Sequence, residues 1–225
     1  MLIAIEGIDG SGKGTQAKLL LNKLKNINKE SILLQFPQYS NNFFGKEVGK
    51  YLNGDYGSLN SINPKMASLL YGLDRFESKP LLEKALNNNG YVICDRYIAS
   101  NMAHQATRVS EHLALDLMNW IKYFETQILQ LPWPDLTIFL KTSIDNSQRL
   151  VTKKEAREYT LKKLDLHEAD TDHLKNANRN FELLSKDSNW VAIDCISNTG
   201  DLRSIEIIHN EIVSEIFKRI EANGK

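Results

Sequence analysis

A chain of 225 residues, 42% hydrophobic and 25% charged, is long enough for one substantial domain burying roughly 70% of its unfolded surface, and a single domain over 1–225 is expected. Its 28 basic and 28 acidic side chains cancel, which excludes a broad basic field for nucleic acid and an acidic tail, so any basic site is local. No window reaches the ~20 apolar residues that span a bilayer and no basic-then-apolar leader opens the chain, so a cytoplasmic protein without a membrane partner is expected.

The first element is LIAIE at 2–6, an apolar run without polar alternation, as suits a strand covered on both faces. It breaks into Gly7-Ile8-Asp9-Gly10-Ser11-Gly12-Lys13-Gly14-Thr15, after which Ala17, Leu20, Leu21 and Leu24 recur at a helical period. The pattern G-x-x-x-x-G-K between a strand and a helix is a phosphate-binding loop. Its glycines let successive N–H groups point inward, the helix start adds positive charge, and Lys13 supplies a point charge to the outer phosphates. Gly7, Asp9, Gly10, Ser11, Gly12, Lys13, Gly14 and Thr15 are therefore expected to hold a nucleoside triphosphate. Gly14 stands where a serine or threonine usually serves magnesium, so Mg²⁺ is expected on water, phosphate oxygens and Thr15 or a carboxylate.

SILLQF at 31–36 reads as a second strand, and MASLLYGLDRFE at 66–77 as a helix; the asparagines at 87–89 before Gly90 read as a helix-ending loop. A third strand, YVICD at 91–95, ends in Asp95 with Arg96 next, and would lie beside the first strand. That places Asp95 near the metal and phosphates, and Arg96 over a neighbouring acceptor cleft, where a guanidinium fork suits a monophosphate. LALDLMNWIKYFETQIL at 113–129 has helical spacing, and DLTIFL at 135–140 and NWVAID at 189–194 read as the last two strands. Between them, 144–180 gathers Arg149, Lys153, Lys154, Arg157, Lys162 and Lys163, the composition of a basic lid near 149–168. Five such strands alternating with helices predict an α/β fold: a five-stranded parallel sheet with helices on both faces and ligands at the carboxyl ends of the strands. Cys94 and Cys195 are far apart with no metal-like spacing, and read as buried, reduced thiols.

MLIAIEGIDGSGKGTQ, QFPQYS, LLYGLDRFE, DRYIASNMAHQ and WPDLTIFL, in this order and spacing, resemble thymidylate kinase over nearly the whole chain. The resemblance implies the P-loop nucleotide-kinase fold, dTMP as acceptor, ATP as donor, Mg²⁺ and a homodimer. Carried over by position, it puts Asp9 near the acceptor sugar and phosphate, Phe36, Pro37 and Tyr39 along the pocket, and Tyr71 against the base. Arg75 and Asn101 would read the base with Ser100 and Gln105 nearby, while Arg96 grips the acceptor phosphate. Lys13, Asp9 and Arg96 are the implied catalytic set, joined by a lid cation, Arg157 first and Arg149 second. Asp9, Thr15, Asp95 and Glu168 are the implied metal-side oxygens. Two departures stand out: Gln38 follows the Phe-Pro step where relatives have Arg or Glu, and His104 replaces a tyrosine that lies close to the deoxyribose.

Two other readings predict different behaviour. A kinase for another pyrimidine monophosphate (dUMP, UMP or CMP) would share the loop and differ in the base pocket. A nucleotide-regulated switch would bind without transferring phosphate, and leaves Arg75 and Arg96 without a role.

Overall fold

Leu2–Glu6 (β1) is buried at every position, and its side chains divide by parity. Leu2 and Ala4 join one apolar cluster with Val92, Cys94, Met102 and Met118, whereas Ile3 and Ile5 join a second with Leu20, Ile93, Ile138 and Ile212. Successive strand side chains point to opposite faces, so a continuous apolar run is what a central strand covered on both sides requires. In the computed structural model, which describes residues 1–58, 61–151 and 171–223, this strand is the middle of the sheet. Ile32–Gln35 (β2), Val92–Asp95 (β3), Leu136–Lys141 (β4) and Trp190–Asp194 (β5) complete it, all parallel, in the order β2-β3-β1-β4-β5. The strands fall where the sequence puts them, with ends moved by single residues as is usual at element boundaries.

One face is covered by Lys13–Lys25 (α1) and Ile205–Asn223 (α9); α1 turns Gln16, Ala17, Leu20 and Leu24 inward at helical spacing. The other face receives Ile98–Ala106 (α5) and Glu111–Tyr123 (α6) through Ile98, Met102, Met118 and Ile121. Phe43–Asn53 (α2), Pro64–Glu77 (α3) and Lys79–Asn87 (α4) lie between β2 and β3, and Asn89 leaves α4 with φ 55° ahead of Gly90. Ile144–Val151 (α7) and Thr171–Leu184 (α8) flank residues 152–170. Arg157, Glu168 and the lid lysines Lys153, Lys154, Lys162 and Lys163 lie outside the described residues.

The helical stretch expected over 113–129 is not one uniform helix. Regular α-geometry ends at Tyr123, and Phe124–Ile128 forms a π-helical turn in which Leu129 N–H donates to Phe124 O at 3.0 Å. A five-residue step widens the turn and changes which side chains face inward, and Glu125 is fully buried there. Cys94 and Cys195 are both buried and free, as expected, and burial pushes the Cys195 thiol up to about 12.

Candidate active site

The parallel register pairs Ile5 with Asp95, and the Arg96 N–H donates to Ile5 O at 3.0 Å, so the residues following β1 and β3 emerge side by side. The glycine loop fills the first of these exits. Gly12, immediately before α1, has φ 92° and open space around its missing Cβ, so the backbone angle alone calls for glycine. At Gly10, with φ 76°, contact adds to the backbone angle, because a Cβ would fall 2.2 Å from Ser147 O on α7. Ser147 Oγ also donates to the Asp9 carbonyl, which fastens α7 to the loop. Lys13 folds back across it, Nζ donating to Ile8 O at 2.7 Å. The first turn of α1 carries no acid, so its positive end is left for an anion.

Gly14 faces β3: a Cβ there would stand 3.0 Å from Asp95 Oδ2. The acid at the end of β3 thus lies against the loop position where a hydroxyl is usual. Thr15 is exposed on the first turn of α1.

Arg96 adopts φ 67°, a left-handed backbone that costs a non-glycine residue energy and is found where function holds it. Its guanidinium is spread over Asp9 Oδ1 at 2.6 Å, Ser100 Oγ at 2.9 Å and Gly7 O at 3.3 Å. Burial opposes its charge, but Asp9, Asp95 and Glu6 outweigh burial and raise its pKa further. Glu6, at the end of β1, was not singled out from the sequence. It is completely buried, and takes the N–H of Tyr97 at 2.8 Å and the Ser100 hydroxyl at 2.5 Å, so it fixes the turn that carries Arg96. Burial pushes its carboxyl up, offset in part by Ser100, Arg96, Tyr97 N–H and Lys13.

Arg96 and Asp9 share one cleft with Phe36, Pro37, Tyr39, Tyr71, Arg75, Ser100, Asn101, His104 and Gln105. Every residue expected to bind the acceptor lines this cleft. Leu52, absent from the expectation, adds to the apolar wall. The Phe36–Pro37 bond is cis. The loop bearing it is tied to α3 by buried Asp74, which accepts Gln38 N–H at 3.0 Å and Asn42 Nδ2–H at 2.9 Å. Gln38 itself donates from Nε2 to Ser78 Oγ at 3.0 Å, a role in fastening this loop. Tyr71 packs edge-on to Tyr51, ring centroids 6.3 Å apart. Gln105 accepts from Arg108 at 2.8 Å.

Arg75 is 2% exposed and makes a two-pronged pair with Glu125, 2.6 Å from Nε and 2.6 Å from Nη2. Burial opposes its charge, and the Glu125 carboxylate overcomes this and raises its pKa. Glu125 Oε1 also takes Asn101 Nδ2–H at 2.8 Å, whose second proton goes to Ser68 O at 3.0 Å. Asn101 Oδ1 is buried without a partner, so this amide offers an acceptor and no donor. Glu125 escaped sequence reading because a lone acid in an amphipathic stretch reads as solvated, and no residue type marks a π-turn.

His104 joins the cleft to α8. A guanidinium only donates, so His104 Nε2, 3.3 Å from Arg96 Nη1, accepts. His104 Nδ1–H then donates to His173 Nε2 at 3.0 Å, and His173 Nδ1–H to Thr107 Oγ1 at 2.8 Å. The Thr107 hydroxyl proton goes to His104 O at 2.8 Å, which returns the chain to α5. His173 carried no motif that distinguished it in sequence. Arg149 is exposed on α7 and does not line the cleft.

The chain as a whole is similar to known proteins. A family model for thymidylate kinase matches residues 5–212. The chain is 31% identical over 225 aligned residues to a thymidylate kinase of Prochlorococcus marinus, covering 98% of this chain and 97% of that one. It is 29% identical to human thymidylate kinase over 94% of this chain and 87% of that one. The solved structure of thymidylate kinase from Candida albicans overlays with a TM-score of 0.68 at 24% identity, covering 99% of this chain and 92% of that one, a likeness of fold.

Proposed function

The chain belongs to the thymidylate kinase family, and we propose that this cleft seats dTMP, with the phosphate at Arg96 and the base at Arg75 and Asn101. The enzyme transfers the γ-phosphoryl group of ATP to dTMP, giving ADP and dTDP. One observation carries the assignment of the cleft: Asn101 has both amide protons committed, so only its oxygen remains for a ligand. A thymine or uracil ring offers N3–H to such an acceptor, whereas cytosine presents a bare N3 and would leave two acceptors facing each other. This disfavours CMP as substrate.

The chain's residues supply position and charge. The acceptor phosphate has its second pKa near ~6 and is largely ionised at neutral pH, so it needs no strong base. Arg96 would hold that phosphate, while the loop N–H groups, the α1 start and Lys13 hold the donor and meet the charge that spreads over the transferred group. Mg²⁺ fits the oxygen donors here, a buried Asp95 carboxylate beside Gly14 and the Thr15 hydroxyl one residue on. When bound it would screen charge on the donor phosphates. Asp9 pairs with Arg96, on the acceptor side, and Glu168, Arg157 and Arg149 remain proposed lid contributors.

A homodimer is part of the proposal, supported by exposed apolar side chains Met66 and Phe76 on α3 and Leu115 and Tyr123 on α6. Sedimentation would test it. Cytoplasmic location is likewise proposed and open to fractionation; no helix among the described residues is long and apolar enough to cross a membrane. The test of function is purified protein with ATP, Mg²⁺ and dTMP, following ADP and dTDP, beside UMP, CMP and an Arg96→Ala control. Absence of dTDP with nucleotide-dependent binding of another protein would favour the switch.

A further inference from the structure

The residues that face the base are held by one that does not line the cleft. Glu125 is fully buried on the π-helical turn Phe124–Ile128, and its two oxygens accept three protons: Arg75 Nε–H, Arg75 Nη2–H and Asn101 Nδ2–H. The orientation of an asparagine amide follows from its neighbours. Asn101 Nδ2 meets two acceptors, Glu125 Oε1 and Ser68 O, and turning the amide over would set oxygen against oxygen twice. Arg75 spends its Nε–H and one Nη2–H on Glu125, which leaves the second Nη2–H and the two on Nη1 as donors in fixed directions. One carboxylate thereby fixes a donor and an acceptor at once.

From this geometry we infer that Glu125 is the residue that sets base selectivity, by holding the Asn101 amide and two of the Arg75 donors in fixed directions, so that the uncommitted Asn101 oxygen and the remaining Arg75 N–H groups select pyrimidines with a 4-carbonyl and an N3–H. The inference rests on the placement of dTMP proposed above. Glu125 acts as a positioning residue and touches no substrate.

Its substitution should change which base is preferred as well as how tightly nucleotides bind. In Glu125→Gln one oxygen must serve three donors, and the new NH₂ can donate to the Asn101 oxygen once that amide turns over. The amide nitrogen then faces the cleft and suits cytosine N3. Glu125→Asp keeps the charge beside Arg75 but is a methylene too short to hold Asn101 as well.

The measurement is competitive displacement giving the ratio of dCMP to dTMP dissociation constants, for wild type and both variants, with circular dichroism and thermal unfolding as checks of folding. The expected result is a ratio at least about tenfold smaller in each folded variant, because a site with fixed hydrogen-bonding groups discriminates far more than one that can rearrange. Folded variants that weaken dCMP and dTMP by a common factor would overturn the inference, since that is what simple loosening gives. A second readout needs no variant: in wild-type protein the Asn101 side-chain NH₂ should be protected from solvent exchange with and without dTMP. Exchange at the rate of a free amide in the nucleotide-free protein would likewise overturn it. Failure of the underlying placement looks different, as wild type would then show no preference for dTMP over dCMP at all.

Discussion

Arg96 donates from Nη2 to Asp9 Oδ1 at 2.6 Å, joining the turn after β3 to the glycine loop across 87 residues of chain. The same side chain reaches Ser100 and Gly7 from a strained backbone, so its planar fork serves several acceptors in fixed directions. A lysine at this position carries the charge without the fork. Arg96→Ala is expected to lower kcat/KM for dTMP roughly 10²–10³-fold, the cost of removing a preorganised donor, and Arg96→Lys nearly as much. The KM for ATP should change little in either. Steady-state kinetics with both substrates varied decides this, and a lysine variant with wild-type dTMP kinetics would refute the role.

Behind Arg96, Glu6 predicts a pH dependence of stability. Its carboxyl is pushed above the ordinary 4.5 chiefly by burial. A carboxyl raised in the folded protein holds its proton more tightly folded than unfolded, so its contribution to stability is full below 4.5 and declines as pH rises through the folded value. Glu6→Gln keeps an acceptor for Tyr97 and Ser100 and removes that titration. Chemical denaturation across pH should show the variant gaining on wild type from pH 4.5 upward, with a constant difference below. A difference independent of pH would mean that Glu6 is ionised at no cost.

These two residues show what a sequence reveals and what it hides. Arg96 was legible because a motif fixes its place after an apolar strand, and strand, loop and helix start obey local rules that composition and period expose. The cleft residues from Phe36 to Gln105 were legible through the family pattern, and they converge although they come from separate segments. Glu6, Glu125 and His173 were hidden because each acts on another side chain, and buried polar partners follow from packing, which a linear pattern does not encode. The π-turn was hidden for a related reason: helical spacing assumes a constant step.

The position of Asp95 against Gly14 predicts a coupled metal response. Gly14→Ala would set a methyl 3.0 Å from Asp95 Oδ2, so the carboxylate must yield by a few tenths of an ångström. Gly14→Ala should fold and need more Mg²⁺ for half-maximal rate. Asp95→Asn should need roughly 10–100-fold more, the usual loss when an oxygen supporting a metal is replaced. Rate against Mg²⁺ at saturating ATP and dTMP measures both. An unchanged Mg²⁺ requirement in Asp95→Asn would remove Asp95 from the metal side.

The two thiols provide a check on the fold itself. Cys94 and Cys195 are buried with pKa values raised by desolvation, so neither supplies thiolate at pH 8. A chromogenic disulfide reagent should titrate no thiol in the native protein and both in denaturant. Rapid native reaction would show that these strand ends open.

His104 predicts the sugar selectivity. The ring lines the cleft beside Arg96, and it lies nearly parallel to His173 with centroids 5.3 Å apart and planes 22° apart. Hydrogen bonds at both nitrogens hold it in place, so it cannot swing to fill space near the sugar. The family resemblance implies a tyrosine at this position, whose longer side chain would crowd a 2′-hydroxyl. The histidine should therefore admit a ribose more readily: wild type is expected to turn over UMP measurably beside dUMP. His104→Tyr should widen the dUMP-to-UMP ratio in kcat/KM by roughly 10–100-fold, the range that one steric group commands. Because uracil is common to both substrates, base reading by Arg75 and Asn101 cancels from the ratio and only the sugar is compared. Complete rejection of UMP by wild type would show that something other than the residue at this position guards the ribose.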